Sequence, residues 1–162
     1  ADEVKDWWEA HNPLWGQLRQ ESLDLLKEEN RLQQIVRLIG PDALPDSQRL
    51  ILKVADMIKN GFLQQNAFDD VDKYCSSDKQ ILILQLIMEY YRRAVECIKK
   101  GALLQNVVNL PVCDEIVRIK MVIKNDGYPR RDECSHTKYA YWHCQHIVIP
   151  SQVTHLYIYY IT

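Results

Sequence analysis

Between Leu14 and Ile39 the chain places Leu18, Leu25, Leu32 and Ile39 seven residues apart, and no other feature restricts its fold as strongly. Leu14, Leu26, Ile35 and Val36 widen that apolar stripe on one side, as an amphipathic helix requires. At about 1.5 Å per residue the helix would be roughly 39 Å long. Gly40 and Pro41 follow the last apolar position. A glycine in a left-handed cap and a proline that cannot continue a helix predict a sharp stop. A helix this long needs other helices to cover its stripe, so the pattern points to a helical bundle.

The remaining punctuation agrees. The segment Pro41-Asp-Ala-Leu-Pro-Asp46 is a short turn, and Asp46 is placed to cap a second helix whose face carries Leu50, Val54, Met57 and Ile58. Asn60-Gly61 reads as its end. Phe62-Leu-Gln-Gln-Asn-Ala-Phe68 is too polar in its middle for a core strand and reads as an ordered loop, followed by the acidic Asp69, Asp70 and Asp72. Ser77 with Gln80 has the spacing of a capping box. Ile81, Leu84, Met88, Tyr91, Val95 and Ile98 then recur at steps of three and four up to Gly101. Ile81 to Ile87 is apolar at every position except Gln85, which predicts a central helix covered on most sides. Leu103–Asn109 reads as a short helix and Pro111–Lys124 as another, with proline suited to the first turn. Asn125-Asp-Gly-Tyr-Pro129 is a stop.

The expected fold is therefore all-α: an antiparallel bundle of four to five helices over residues 1–125. Residues 126–162 form a linker and a tail of different character. From Asp132 onward the tail holds four of the five histidines in the chain, and Ile147-Val-Ile149 and Leu156–Ile161 are strand-like in composition.

Composition limits the function classes. A hydrophobic share of 47% and a charged share of 26% are globular values. A formal charge of −2 supplies no general attraction to nucleic acid or to anionic lipid. No apolar run approaches the roughly 20 residues that span a bilayer, and the opening residues ADEVKDWW do not read as a signal peptide. Five cysteines without framework spacing suit a reducing compartment. The expectation is a cytoplasmic domain with no nucleic-acid partner and no direct membrane insertion.

Chemistry-bearing motifs are sparse. Glycines at 16, 40, 61, 101 and 127 allow neither a phosphate-cradling P-loop nor a dinucleotide fingerprint. No G-x-S-x-G or H-E-x-x-H occurs. The pairs Glu28-Glu29 and Asp69-Asp70 read as solvated faces, so no catalytic residue is assigned. Cys134, His136, His143, Cys144, His146 and His155 could ligate zinc, but Cys134-x-His136 is too tight for a knuckle and His143-Cys144 are adjacent, so no metal site is assigned. Trp7, Trp8 and Trp15 read as cover for the base of the bundle, and Phe62 and Phe68 by themselves as loop anchors.

Taken together, Glu28–Pro45 (EENRLQQIVRLIGPDALP), Phe62–Cys75 (FLQQNAFDDVDKYC), Lys79-Gln80, Gly101, Leu110-Pro-Val112 and Ile119-Lys120 resemble a specific family. It is the C-terminal helical domain of the catalytic A subunit (alpha chain) of V-type and archaeal-type ATP synthases, in its prokaryotic form. Val4-Lys-Asp-Trp-Trp8 and Asn12-Pro-Leu-Trp15 extend the likeness, which covers about residues 3–124. Residues 132–162 match nothing in it.

The resemblance implies a fragment of an ion-translocating ATP hydrolase or synthase, coupled to proton or sodium transport. The β-barrel and the phosphate-binding domain of the family would lie elsewhere. The fragment itself would bind no cofactor and hydrolyse nothing; ATP and magnesium would be held by the parent subunit. Its partners would be the central stalk subunits and the non-catalytic B subunit, in a headpiece peripheral to the membrane on the cytoplasmic side. The loop at Gly40–Ser47 would be a stalk-contacting tip, through Asp42, Leu44 and Asp46, with the apolar Leu44 carrying more of the contact than charge. The Phe62–Phe68 loop would border the adenine pocket, with Phe68 as the wall and Phe62 and Gln65 beside it. The alternative is an independent helical adaptor that binds a partner through its Trp-rich start and hairpin tip.

Overall fold

The computed structural model describes residues 2–68 and 73–122. Asp69, Asp70, Asp72, the stop at Asn125–Pro129, the strand-like segments and the Cys/His set of the tail lie outside the described residues. Among those described there is no strand. The elements are α1 (Asp2–His11), α2 (Trp15–Ile39), a 3₁₀ turn (Pro41–Ala43), α3 (Asp46–Met57), a π-helical turn (Ile58–Leu63), α4 (Ser77–Lys99), α5 (Leu104–Val108) and α6 (Pro111–Val122). The all-α expectation holds. α1 is an addition to the helices expected from periodicity.

The predicted central role of α4 follows from its sequence. Ile81, Leu82, Ile83, Leu84, Leu86, Ile87 and Met88 are all buried, and so are Tyr90 and Ala94. Side chains on more than one face of a helix can be buried only if neighbours cover it all round, and α2, α3, the π turn, α5 and α6 all pack on α4. Each such Leu or Ile contributes about 1.5–3 kcal/mol of transfer free energy. α2 delivers Leu18, Leu25 and Leu32 from its seven-residue stripe, and α3 delivers Leu50, Val54 and Met57.

Four local expectations are corrected. Gly40 does not form a left-handed helical cap. Its φ of 84° and ψ of 160° lie in the extended mirror-image region open essentially to glycine alone, and its N–H still donates to Val36 O at 2.9 Å. Asp46 is not the N-cap of α3; Pro45 holds that position, and its carbonyl accepts from the N–H groups of Gln48 and Arg49. Asp46 instead sits in the first turn, where a carboxylate complements the helix dipole. The cap of α4 is one residue earlier than the Ser77–Gln80 box: extended Ser76 accepts at Oγ from Lys79 N–H, and Gln80 donates its amide to Cys75 O at 3.2 Å.

The fourth correction matters most for function. Asn60-Gly61 does not end the second helix. The backbone widens into a π turn, closed by Gln64 N–H donating to Lys59 O at 2.8 Å. Gly61 faces α6 and α4 at close range: a Cβ there would lie 3.4 Å from Val117 Cα and 3.7 Å from Ile87 Cδ1, in ordinary van der Waals contact with both.

Candidate functional site

Two exposed features stand at opposite ends of one continuous rod, formed by α3 and the π turn over residues 46–63. The rod is about 27 Å long at ordinary helical rise. It is held to the core by Leu50, Val54, Met57 and Ile58, each 1% exposed or less.

At its start lies the tip. Leu38 is 85% exposed and Ile39 62%, and Pro41, Asp42 and Ala43 are also exposed. Asp42 lies 3.6 Å and Asp46 3.9 Å from the guanidinium of Arg49, which ties both carboxylates loosely to α3. Leu44, expected to be the contact residue, is only 6% exposed. With its N–H donating to Pro41 O at 3.2 Å, the 3₁₀ turn folds Leu44 inward as an anchor. The apolar surface of the tip comes from the last turn of α2 instead. Sequence reading placed Ile39 at the end of the buried stripe and did not include Leu38; both stand on the last turn of α2 and are exposed.

At the other end of the rod lies the π turn and its loop. The two phenylalanines part company here. Phe62 is half-buried and packs on Trp15 with ring centroids 6.4 Å apart. Trp15 stacks on Trp8 at 4.3 Å, and Trp7 meets Trp8 edge-on at 5.0 Å, so the tryptophans brace this end of the bundle as expected. Phe68 is 98% exposed. Its N–H donates to Asn66 Oδ1 at 3.1 Å, a local turn that fixes the backbone under a bare aromatic ring. Gln65 is exposed and, with Gly61, Phe62, Leu63, Cys75, Gln80, Ile83 and Lys120, lines a cleft of about 220 Å³. Phe62 and Gln65 thus share a cleft, whereas Phe68 stands beyond it.

Sequence reasoning missed Lys120. Its side chain is buried, and Nζ donates to Asn60 O at 2.9 Å and to Gln64 O. An ammonium that caps the carbonyls of a helix end satisfies acceptors the helix cannot use.

Of the cysteines described, Cys97 and Cys113 have thiols pushed up by burial, the opposite of what a reactive thiolate needs. Among the described residues no three Cys, His, Asp or Glu side chains gather as a metal site, and no helix is long and apolar enough to cross a membrane.

Residues 5–108 match the family described as the C-terminal domain of V and A type ATP synthase. This chain belongs to that family. It is similar to the A subunit of the A-type ATP synthase of Pyrococcus abyssi, 44% identical over 121 residues that cover 74% of this chain and 12% of the relative. The corresponding protein of Methanopyrus kandleri is 46% identical over 133 residues, 82% of this chain and 22% of the relative. That of Thermococcus onnurineus is 41% identical over 120 residues, 74% and 20% respectively. The matched region thus spans between 12% and 22% of these relatives' length.

Proposed function

We propose that this domain works within the A subunit of a V/A-type ATP synthase, both as a lid on the nucleotide and as a lever on the central stalk. The observation that carries the reading is the rod together with what flanks it. A helical element packed along its length has bare apolar side chains beyond each extremity: Phe68 in the loop that follows it, and Leu38 and Ile39 on the last turn of α2 across the tip that precedes it. A well-packed helix transmits displacement because its interior does not compress.

In this reading Phe68 is the wall against which the adenine ring stacks. Base–aromatic stacking contributes about 1–3 kcal/mol. Gln65 offers an amide beside it, and Phe62 holds the loop through Trp15 rather than touching the base. The residues described suit the base and not the triphosphate or its magnesium: the positive-φ glycines described, Gly40 and Gly101, stand outside this loop, and among the described residues no carboxylate lines its cleft. Those groups would be bound by the remainder of the subunit, where ATP hydrolysis or synthesis would take place.

At the tip, Leu38, Ile39 and Asp42 would meet the central stalk, with Leu44 and the Arg49–Asp46 pair keeping the turn in shape. The wider partners would be the stalk subunits and the B subunit, in a headpiece on the cytoplasmic face of the membrane, and the work would be coupled to proton or sodium transport. The small share of each relative that this domain spans supports a part within a larger subunit over an independent adaptor.

The test is Phe68→Ala in the full-length subunit. Nucleotide affinity should fall by about thirtyfold, the middle of the stacking range. Unchanged affinity for ATP removes the adenine-wall assignment.

A further inference from the structure

We infer that Lys120 is a positioning residue for the base-facing loop: α6 holds the loop in place through its ammonium. The inference rests on the reading of Gln65–Phe68 as the border of the adenine pocket, and names a residue outside that loop on which the border depends.

Three observations converge. Lys120 is 6% exposed, so its charge is held away from water and must be met by acceptors in the protein. Two of those acceptors are main-chain carbonyls, Asn60 O at 2.9 Å within the wide turn and Gln64 O just past its end. The Gln64 carbonyl belongs to the same planar peptide unit as the N–H of Gln65, so holding that oxygen sets the plane from which the loop departs toward Phe68. Lastly, α6 touches the same turn at a second point, where Val117 lies against Gly61. Two contacts one helical turn apart on α6 fix both the distance and the rotation of the π turn relative to that helix.

A π turn needs such help. Its closing bond, Gln64 N–H to Lys59 O, spans five residues, and the wider ring leaves neighbouring carbonyls without the usual partners. A neutral side chain at position 120 would return those carbonyls to a search for donors, with a change of peptide plane as the nearest solution. A lysine can satisfy several at once because it has three donors. Phe68 lies only four residues beyond Gln64, so a rotated peptide plane there redirects the exposed ring. Lys120 would not touch the nucleotide. Its effect would pass through the direction of Gln65 and Phe68, and so through the base and not the phosphates.

The experiment is an equilibrium titration of the full-length subunit with ATP and, separately, with inorganic tripolyphosphate, which lacks a base. Lys120→Met should weaken ATP by about tenfold, as loss of hydrogen bonds to a charged group predicts. Tripolyphosphate affinity should stay within about twofold, and Lys120→Arg, which keeps the charge and several donors, should recover ATP binding to within about threefold. An unchanged ATP affinity in Lys120→Met beside a weakened Phe68→Ala overturns the tie and leaves the adenine wall standing. Equal loss of both ligands, or a Lys120→Met chain recovered unfolded, also overturns it, because Lys120 would then serve the core as a whole. A silent Phe68→Ala removes the reading on which the tie rests.

Discussion

Leu44 and Leu38 lie six residues apart on the same turn and should respond in opposite ways to truncation. Leu44 is 6% exposed and Leu38 85%. Leu44→Ala therefore deletes buried carbon from a site at the edge of the core. Leucine truncations cost about 2–5 kcal/mol, and an edge site that can partly collapse belongs near the low end, at about 2–3 kcal/mol. Leu38→Ala removes surface that water already wets and should cost less than about 0.5 kcal/mol. In urea, with a slope of about 2 kcal/mol per molar, the first change lowers the midpoint by about 1–1.5 M and the second by less than about 0.25 M. Helical circular dichroism of the purified chain reads both midpoints. Equal shifts, or a larger shift for Leu38→Ala, would refute the assignment of Leu44 as anchor and Leu38 as free contact surface.

Lys79 is 1% exposed and its Nζ has no hydrogen-bond partner among the described residues, at the first turn of α4 where the helix dipole already disfavours a cation. Lys79→Met should raise the stability of the purified chain by about 1–4 kcal/mol, measured by the same melt; a loss would show that the ammonium is satisfied. Glu29 is buried and meets Lys59 Nζ at 2.8 Å while its other oxygen lacks a partner, so Lys59→Met should destabilise by at least about 1 kcal/mol and Glu29→Gln by less. Burial raises the pKa of the Tyr90 hydroxyl and the Cys113 thiol above their ordinary 10.0 and 9.0. Both are neutral in the fold, and the unfolded chain loses their protons first. Stability should hold below about pH 9 and fall above it by up to about 1.4 kcal/mol per pH unit per group, with a shallower alkaline slope in Cys113→Ala.

Much of the fold was legible in apolar spacing. The seven-residue recurrence of leucines gave α2 its end at Ile39, and the unbroken apolar run from Ile81 marked α4 as the centre. α1 carries Val4, Trp7, Trp8 and His11 at steps of three and four, but its 10 residues hold too few periods to separate a helix from surface cover. The π turn was not legible. Asn-Gly is a stop signal in local terms, whereas the groups that meet the widened turn, Val117 and Lys120, lie far away in sequence. Leu44, between two prolines and two residues from an aspartate on either side, has the local signature of an exposed loop; its burial depends on the direction in which Gly40 sends the chain. Lys120 carries no local sign of its role, since a lysine on an amphipathic helix ordinarily faces solvent. Its two carbonyl acceptors lie 60 and 56 residues away in sequence.

The claim that the rod transmits force through its tip is tested most directly by Leu38→Asp/Ile39→Asp in the assembled complex, with ATP hydrolysis and ion transport measured on the same preparation. Since both side chains are already exposed, the domain should fold and bind nucleotide normally. The account predicts that hydrolysis persists while transport per ATP falls by about tenfold or more, an estimate that sets the loss of a few apolar contacts at the interface against the usual weight of a hot spot. Transport that remains in its original ratio to hydrolysis would contradict it.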